Sequence, residues 1–218
     1  MNSTPTYGKP INTCLSAGTD IESEEIQKAK KYLTDNFNNH YNLLPHITFT
    51  ICPFPEDNLA KIVKEIDSYF EGKNRISFEL APLNYEPQKQ FFSLPIVGSE
   101  IKKIHEDLVN LFNKYRDGYI REKDLLRFQS NERTVEDMEL IQQYGYFRIF
   151  ERFTPHITIG NVETTDEMMP LIKNELERLL ENTISKNITV NKIHLTFHTD
   201  SEIQSDMQEI WGKDYFLK

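Results

Sequence analysis

The sequence has little of what marks the commonest catalytic and export signatures. Its two cysteines, Cys14 and Cys52, in 218 residues exclude a disulfide framework and a Cys-rich metal site. Both lie on predicted strands, where buried free thiols are expected. The eight glycines are scattered, so no Gly-rich loop can cradle a phosphate, and neither a Cys-x-x-Cys pair nor a His-Glu-x-x-His helix occurs. The acids fall mainly on predicted helix faces, which disfavours a two-metal site; neither a metal nor any other cofactor is expected. No segment approaches the roughly 18 apolar residues of a membrane span, and the start, Met1-Asn2-Ser3-Thr4-Pro5, lacks the basic and apolar regions of a signal peptide. A cytoplasmic location and no membrane partner are therefore expected. Positive charge is also short, with 25 Lys and Arg against 34 Asp and Glu and a net charge of −9. That balance weighs against a broad phosphate-backbone interface, which depends on clustered cations. A small nucleotide or a short RNA end needs only a few local ones. No stable protein partner is implied, and a monomer is expected.

What the chain does contain is one tetrad twice, Pro45-His46-Ile47-Thr48 and Pro155-His156-Ile157-Thr158, with 110 residues from His46 to His156. Each lies in an apolar run that reads as a buried strand. Side chains alternate along a strand, so His46 and Thr48 share one face and Ile47 and Phe49 the other. The same holds for His156 and Thr158 against Ile157 and Ile159. Two such lobes packed together would bring two imidazoles and two hydroxyls to one cleft, a set suited to phosphodiester chemistry.

At 38% hydrophobic and 27% charged residues the chain is globular and long enough for a substantial core. The periodicities predict a strand over 11–17, then a helix beginning at Ser23 with Ile26, Ala29, Leu33 and Phe37 inward. After a polar turn at Asn38-Asn39-His40 come the first motif strand and a helix over 56–70. Runs at 76–80 and 91–96 read as a hairpin turning at Pro87-Gln88-Lys89. Ser99 is placed to cap a helix to about residue 115. The second half repeats motif strand, helix over 169–182, one strand over 188–197 and a final strand over 210–217, which reads as a diverged internal duplication. The expected organisation is a single domain over 1–218: a first lobe at about 11–115, an insert at about 116–152 and a second lobe at about 153–218, with exchange of strands between the lobes left open. In the insert, Thr134 and Asp137 mark a helix start and Gly145 its end. Long connections of this kind often carry function, and this one reads as a lid or substrate-selecting element.

Paired strand-borne His-x-Thr motifs, each led by Pro and followed by a helix, resemble the 2H phosphoesterase superfamily, which includes 2′-5′ RNA ligase-like proteins and cyclic nucleotide phosphodiesterases. The resemblance covers about 11–217. It implies an α+β fold of two pseudo-symmetric lobes, with antiparallel sheets lining a central cleft and helices outside. It also makes His46 and His156 the catalytic pair and Thr48 and Thr158 the phosphate-binding hydroxyls. The chemistry agrees: a neutral imidazole can take a proton while a protonated one gives one, and hydroxyls can donate to phosphate oxygens. The expected activity is a phosphodiesterase acting on a nucleoside or RNA-terminal 2′,3′-cyclic phosphate, or on a short 2′-5′-linked oligonucleotide. The alternatives are 2′-5′ end joining and a non-catalytic nucleotide- or RNA-binding module. Phe91, Phe92, Tyr144 and Tyr146 are candidates to stack on a base. Arg148 and Arg152, of equal strand parity, are candidates to meet a phosphate. A third His-x-Thr at His194-Leu195-Thr196, continued by His198, lacks the leading Pro and the following helix, and is ranked as cleft lining or solvent-facing. His40 and His105 read as unremarkable.

Overall fold

A computed structural model describes residues 8–39, 41, 43–87, 90–201 and 206–218; His40, Gln88 and Lys89, and with the last two the tip of the expected hairpin, lie outside these. In chain order the strands are β1 (Lys9–Ile11), β2 (Thr13–Asp20), β3 (Asn38–Asn39), β4 (His46–Pro53), β5 (Ile76–Leu80), β6 (Asn84–Glu86), β7 (Phe91–Val97), β8 (Tyr119–Arg121), β9 (His156–Glu163), β10 (Asn187–Val190), β11 (Lys192–Thr199) and β12 (Glu209–Phe216). The helices are α1 (Glu24–Asn36), α2 (Leu59–Phe70), α3 (Ser99–Tyr115), α4 (Glu122–Gln129), α5 (Val135–Tyr144) and α6 (Met169–Leu180).

Local chemistry accounts for most of these bounds. Ser23 caps α1 by accepting from the Ile26 N–H, with Glu24 and Glu25 in the first turn, where acids favour the helix dipole. In α2 the stripe Ile62, Ile66 and Phe70 is buried. Thr134 and Asp137 close a capping box on α5, and Gly145 ends it at φ 84°, a conformation that suits glycine. The cap of α3 differs from expectation. Gly98 occupies it and Ser99 is the first helical residue, because Gly98 packs against Phe78 and β7 runs straight into the helix.

Two antiparallel sheets carry the fold, ordered β12-β11-β2-β4 and β10-β5-β7-β9-β3, with β6 pairing β7; a short parallel pair, β1-β8, lies outside them. Each sheet mixes strands from both halves of the chain. The repeated unit β2-α1-β4-α2-β5 matches β7-α3-β9-α6-β11, and each unit's last strand joins the other unit's sheet. The outer strands β12 and β10 complete the equivalence. The lobes are thus pseudo-symmetric, as the resemblance implies, with α1 packed on α6 and α2 on α3. A continuous core of buried side chains, including Leu15, Phe49, Phe92, Ile157 and Phe197, runs through both sheets. Among the described residues no helix is long and apolar enough to cross a membrane.

Two local expectations are corrected. The strand expected over 188–197 is two strands in different sheets: β10 pairs with β5 and β11 with β2 and β12. The chain changes sheets at Asn191, whose carbonyl accepts from the Leu217 N–H at 2.7 Å. The insert also holds α4, which was not expected from the sequence. It is anchored by a buried ion triad, with Arg121 and Arg133 on either oxygen of Asp124 at 2.7 and 3.1 Å, over a small separate core of Ile120, Met138 and Ile141.

Candidate active site

Both motif strands begin immediately after their prolines. A proline at that point costs the ladder no hydrogen bond, because it has no N–H to offer, and its carbonyl pins the strand to its neighbour. Pro45 accepts from Ile21 at 2.8 Å and Pro155 from Ile96 at 2.9 Å. Each histidine then turns its Nδ1 back to the carbonyl two residues earlier: His46 donates to Leu44 at 2.9 Å and His156 to Thr154 at 2.8 Å. This contact places the Nδ1 hydrogen of each ring and leaves its Nε2 free of that role. His46 Nε2 shares a 3.2 Å hydrogen bond with the Tyr41 hydroxyl. Ile47 and Ile157 are fully buried behind. Burial lowers the pKa of His156, aided by the nearby charges of Arg148 and His46 and opposed by the Thr154 hydrogen bond, so this ring favours its neutral form.

The two ladders break at equivalent points. Opposite β4, the register shifts between Ala17 and Gly18, leaving Phe49 as the extra residue just after Thr48. Opposite β9 it shifts between Phe92 and Ser93, leaving Ile159 just after Thr158. A bulge frees backbone groups from the ladder and re-aims the side chains beside it. Those carbonyls are met by helical side chains. His105 on α3 donates from Nδ1 to Phe49 at 2.6 Å, and Lys30 on α1 donates to Thr158 at 3.2 Å and Ile159 at 3.3 Å. Each is the seventh residue of its helix, and each helix serves the motif strand of the other repeat. His105 also accepts the Phe150 N–H at Nε2, 3.0 Å away, and stacks on Phe153 at 3.8 Å. It therefore ties β4 to the turn that leads into β9. Burial lowers its pKa, which matches a neutral ring accepting at Nε2. Sequence reading passed over both residues. The available signal was a polar side chain in an apolar stripe, and it occurs in the same pattern twice: Ile26, Lys30, Leu33, Phe37 and Ile101, His105, Leu108, Phe112.

The four motif side chains line one cavity of about 380 Å3, with Tyr41, Phe91, Arg121, Tyr146 and Arg148 among its other walls. Neither threonine hydroxyl has a hydrogen-bond partner among the described residues, and no carboxylate pairs with Arg148 there. Arg121 is buried, with its guanidinium 4.9 Å from the Tyr146 ring. The insert thus furnishes two cations and an aromatic wall. Three candidates are placed otherwise. Phe92 is fully buried and stacked on Tyr85 at 4.7 Å, because strand alternation turns it inward while Phe91 faces the cavity. Tyr144 packs edge-on against Phe150 at 5.0 Å and is not among the cavity walls. Arg152 pairs with Asp137 at 2.7 Å and lines only a neighbouring groove. The equal parity expected for Arg148 and Arg152 does not apply, since residues 150–152 form a 3-10 turn rather than a strand. The two thiols, Cys14 and Cys52, are buried and free, with burial pushing Cys52 up to about 12.

The third His-x-Thr also faces this region. His194, Thr196 and His198 line a chamber of about 490 Å3 that shares Tyr41, His46, Thr48 and Ile51 with the motif cavity. His194 does not present a free ring there. Its Nδ1 is bonded to Asp214 at 2.6 Å and its Nε2 lies 3.6 Å from Glu209.

A family model described as the 2′-5′ RNA ligase superfamily matches residues 19–202, a span that contains both motifs, the helices that meet their bulges and the insert. No curated protein matches the chain.

Proposed function

The chain belongs to the 2′-5′ RNA ligase superfamily, the 2H phosphoesterases, and from that premise we propose that it is a phosphodiesterase working by paired-histidine acid–base catalysis without a metal. Its substrate class is a nucleoside or RNA-terminal 2′,3′-cyclic phosphate or a short 2′-5′-linked oligonucleotide. The observation that carries this reading is the shared cavity: two histidines with Nδ1 already engaged, and two unpartnered threonine hydroxyls, around one space. A phosphate seated there accepts from the threonines, while Arg148 and Arg121 offset its charge.

The depressed pKa of His156 suits it to be the base. Its Nε2 takes the proton of the attacking water as the water oxygen bonds to phosphorus. The bond from phosphorus to the leaving oxygen then breaks, and protonated His46 gives its Nε2 proton to the departing alkoxide. The products are a phosphomonoester and an alcohol. The net charge of −9 favours short substrates over long RNA and so places hydrolysis ahead of end joining.

The test is a screen of 2′,3′-cyclic nucleotides and short 2′-5′ and 3′-5′ oligonucleotides with a chelator present, products being identified by mass. Turnover is expected, and His46→Ala and His156→Ala should each lower it by about 10²–10⁴-fold without loss of the fold. Binding without turnover would make the chain a nucleotide-binding module. Loss of activity in chelator that divalent metal restored would replace the paired-histidine mechanism.

A further inference from the structure

The motif cavity is the middle of a longer groove. On the His46 side it opens into the chamber of about 490 Å3, sharing Tyr41, His46, Thr48 and Ile51. On the His156 side it opens into a groove of about 460 Å3, sharing Phe91, Arg148, Thr154, Pro155 and His156. The two end spaces have no wall residue in common. A phosphate between the histidines therefore has a compartment on each side, and each lies within the range that encloses a small organic ligand.

The ends differ in charge. In the His46-side chamber Lys123 is already paired with Asp200, and the His194 ring is bonded to Asp214. Asp20 and Glu209 remain as surplus acids, and the Asp20 carboxylate has no partner among the described residues. In the middle, the wall residue Arg121 shares the carboxylate of Asp124 with Arg133 behind it. The His156-side groove is lined by Glu86, by Arg152, which is paired with Asp137, and by Arg148, which has no carboxylate partner among the described residues. The His46-side chamber is therefore the more acidic end of the groove, and like-charge contact there opposes a second phosphate.

We propose that the preferred substrate is a linear phosphodiester occupying both compartments, with an uncharged leaving nucleoside in the chamber beyond His46 and the phosphate-bearing remainder running towards Arg148. This rests on the acid–base assignment above, since the group next to the proton donor is the one that leaves. Water adds to phosphorus as His156 removes its proton, the bond to the leaving 5′ oxygen breaks, and His46 protonates that oxygen. A nucleoside 2′,3′-cyclic phosphate has a single nucleoside and fills one compartment only, so it forgoes the remote binding that can be used in the transition state.

The experiment compares kcat/KM for four substrates: a 2′-5′-linked dinucleoside monophosphate, the same dimer with an added phosphate on the leaving ribose, the same dimer with a 5′-phosphate on the other nucleoside, and a nucleoside 2′,3′-cyclic phosphate. The plain dimer should exceed both the cyclic phosphate and the dimer phosphorylated on its leaving ribose by about 10-fold or more. The 5′-phosphorylated dimer should equal or exceed the plain one. The isosteric double substitution Asp20→Asn, Glu209→Gln should narrow the penalty for the phosphorylated leaving ribose to about 3-fold or less. A cyclic phosphate as good as the dimer, no penalty for the leaving-side phosphate, or a penalty the double substitution left unchanged would each overturn the proposal. Absence of turnover on all four would instead overturn the phosphodiesterase reading on which it rests.

Discussion

His156 is held as His46 is, by an Nδ1 hydrogen bond to the carbonyl two residues before it, and burial with Arg148 close by favours its neutral form. A base in that setting is lost only as pH falls through its lowered pKa, whereas the acid is lost as pH rises and discharges it. The proposed mechanism predicts a bell-shaped kcat/KM profile, with the acidic limb belonging to His156. Arg148→Gln removes a positive charge that disfavours the imidazolium, so the acidic limb should move to higher pH; a limb that stayed in place would assign it to another group. The motif pair was fully legible in the sequence because duplication and strand alternation are local properties. Whether Phe91 or Phe92 meets the cavity was not, since alternation says only that one of them does and the sheet's packing decides which.

At the scale of elements, the bulges beside Thr48 and Thr158 and the side chains that meet them are the features most dependent on non-local structure. His105 satisfies the Phe49 carbonyl on one strand and the Phe150 N–H on another segment. Phe150 has φ 51°, a left-handed conformation that is costly for a bulky residue and persists only where its surroundings hold it. His105→Ala should leave the buried Phe49 carbonyl and the half-buried Phe150 N–H without these partners and cost about 2–4 kcal/mol of stability, measured by urea unfolding. A loss below about 0.5 kcal/mol, the usual range for a surface position, would show that water or relaxation replaces the imidazole. The helices themselves were legible from their caps and stripes. Helix α4 was not, because its eight residues offer only a short apolar face, Leu125 and Phe128, and the Arg121–Asp124–Arg133 triad that anchors it leaves no periodicity to read.

For the whole molecule, three histidines, His105, His156 and His198, have pKa values lowered chiefly by burial. The unfolded chain takes up protons near the ordinary histidine value of about 6.5 while the folded protein does so only at lower pH. The unfolded state therefore binds more protons in that interval, and stability falls as pH is lowered through it. Urea midpoints should be flat from about pH 8 to 7 and decline from about 6.5 downwards; a midpoint that rose on acidification over this range would contradict the burial of these rings. The sequence by itself determined the two motifs, most strands and helices and the acidic balance, because each depends on residue type and spacing along one segment, whereas β7 and α3, expected in the first lobe, open the second repeat. Only the tertiary structure decided that β5 serves the second motif's sheet and β11 the first's, that the chain changes sheets at Asn191, and that the cavity opens into a chamber on each side, the one beyond His46 the more acidic. Strand partnership is chosen by burial between segments far apart in the chain, and such a choice leaves no mark in the periodicity of either partner.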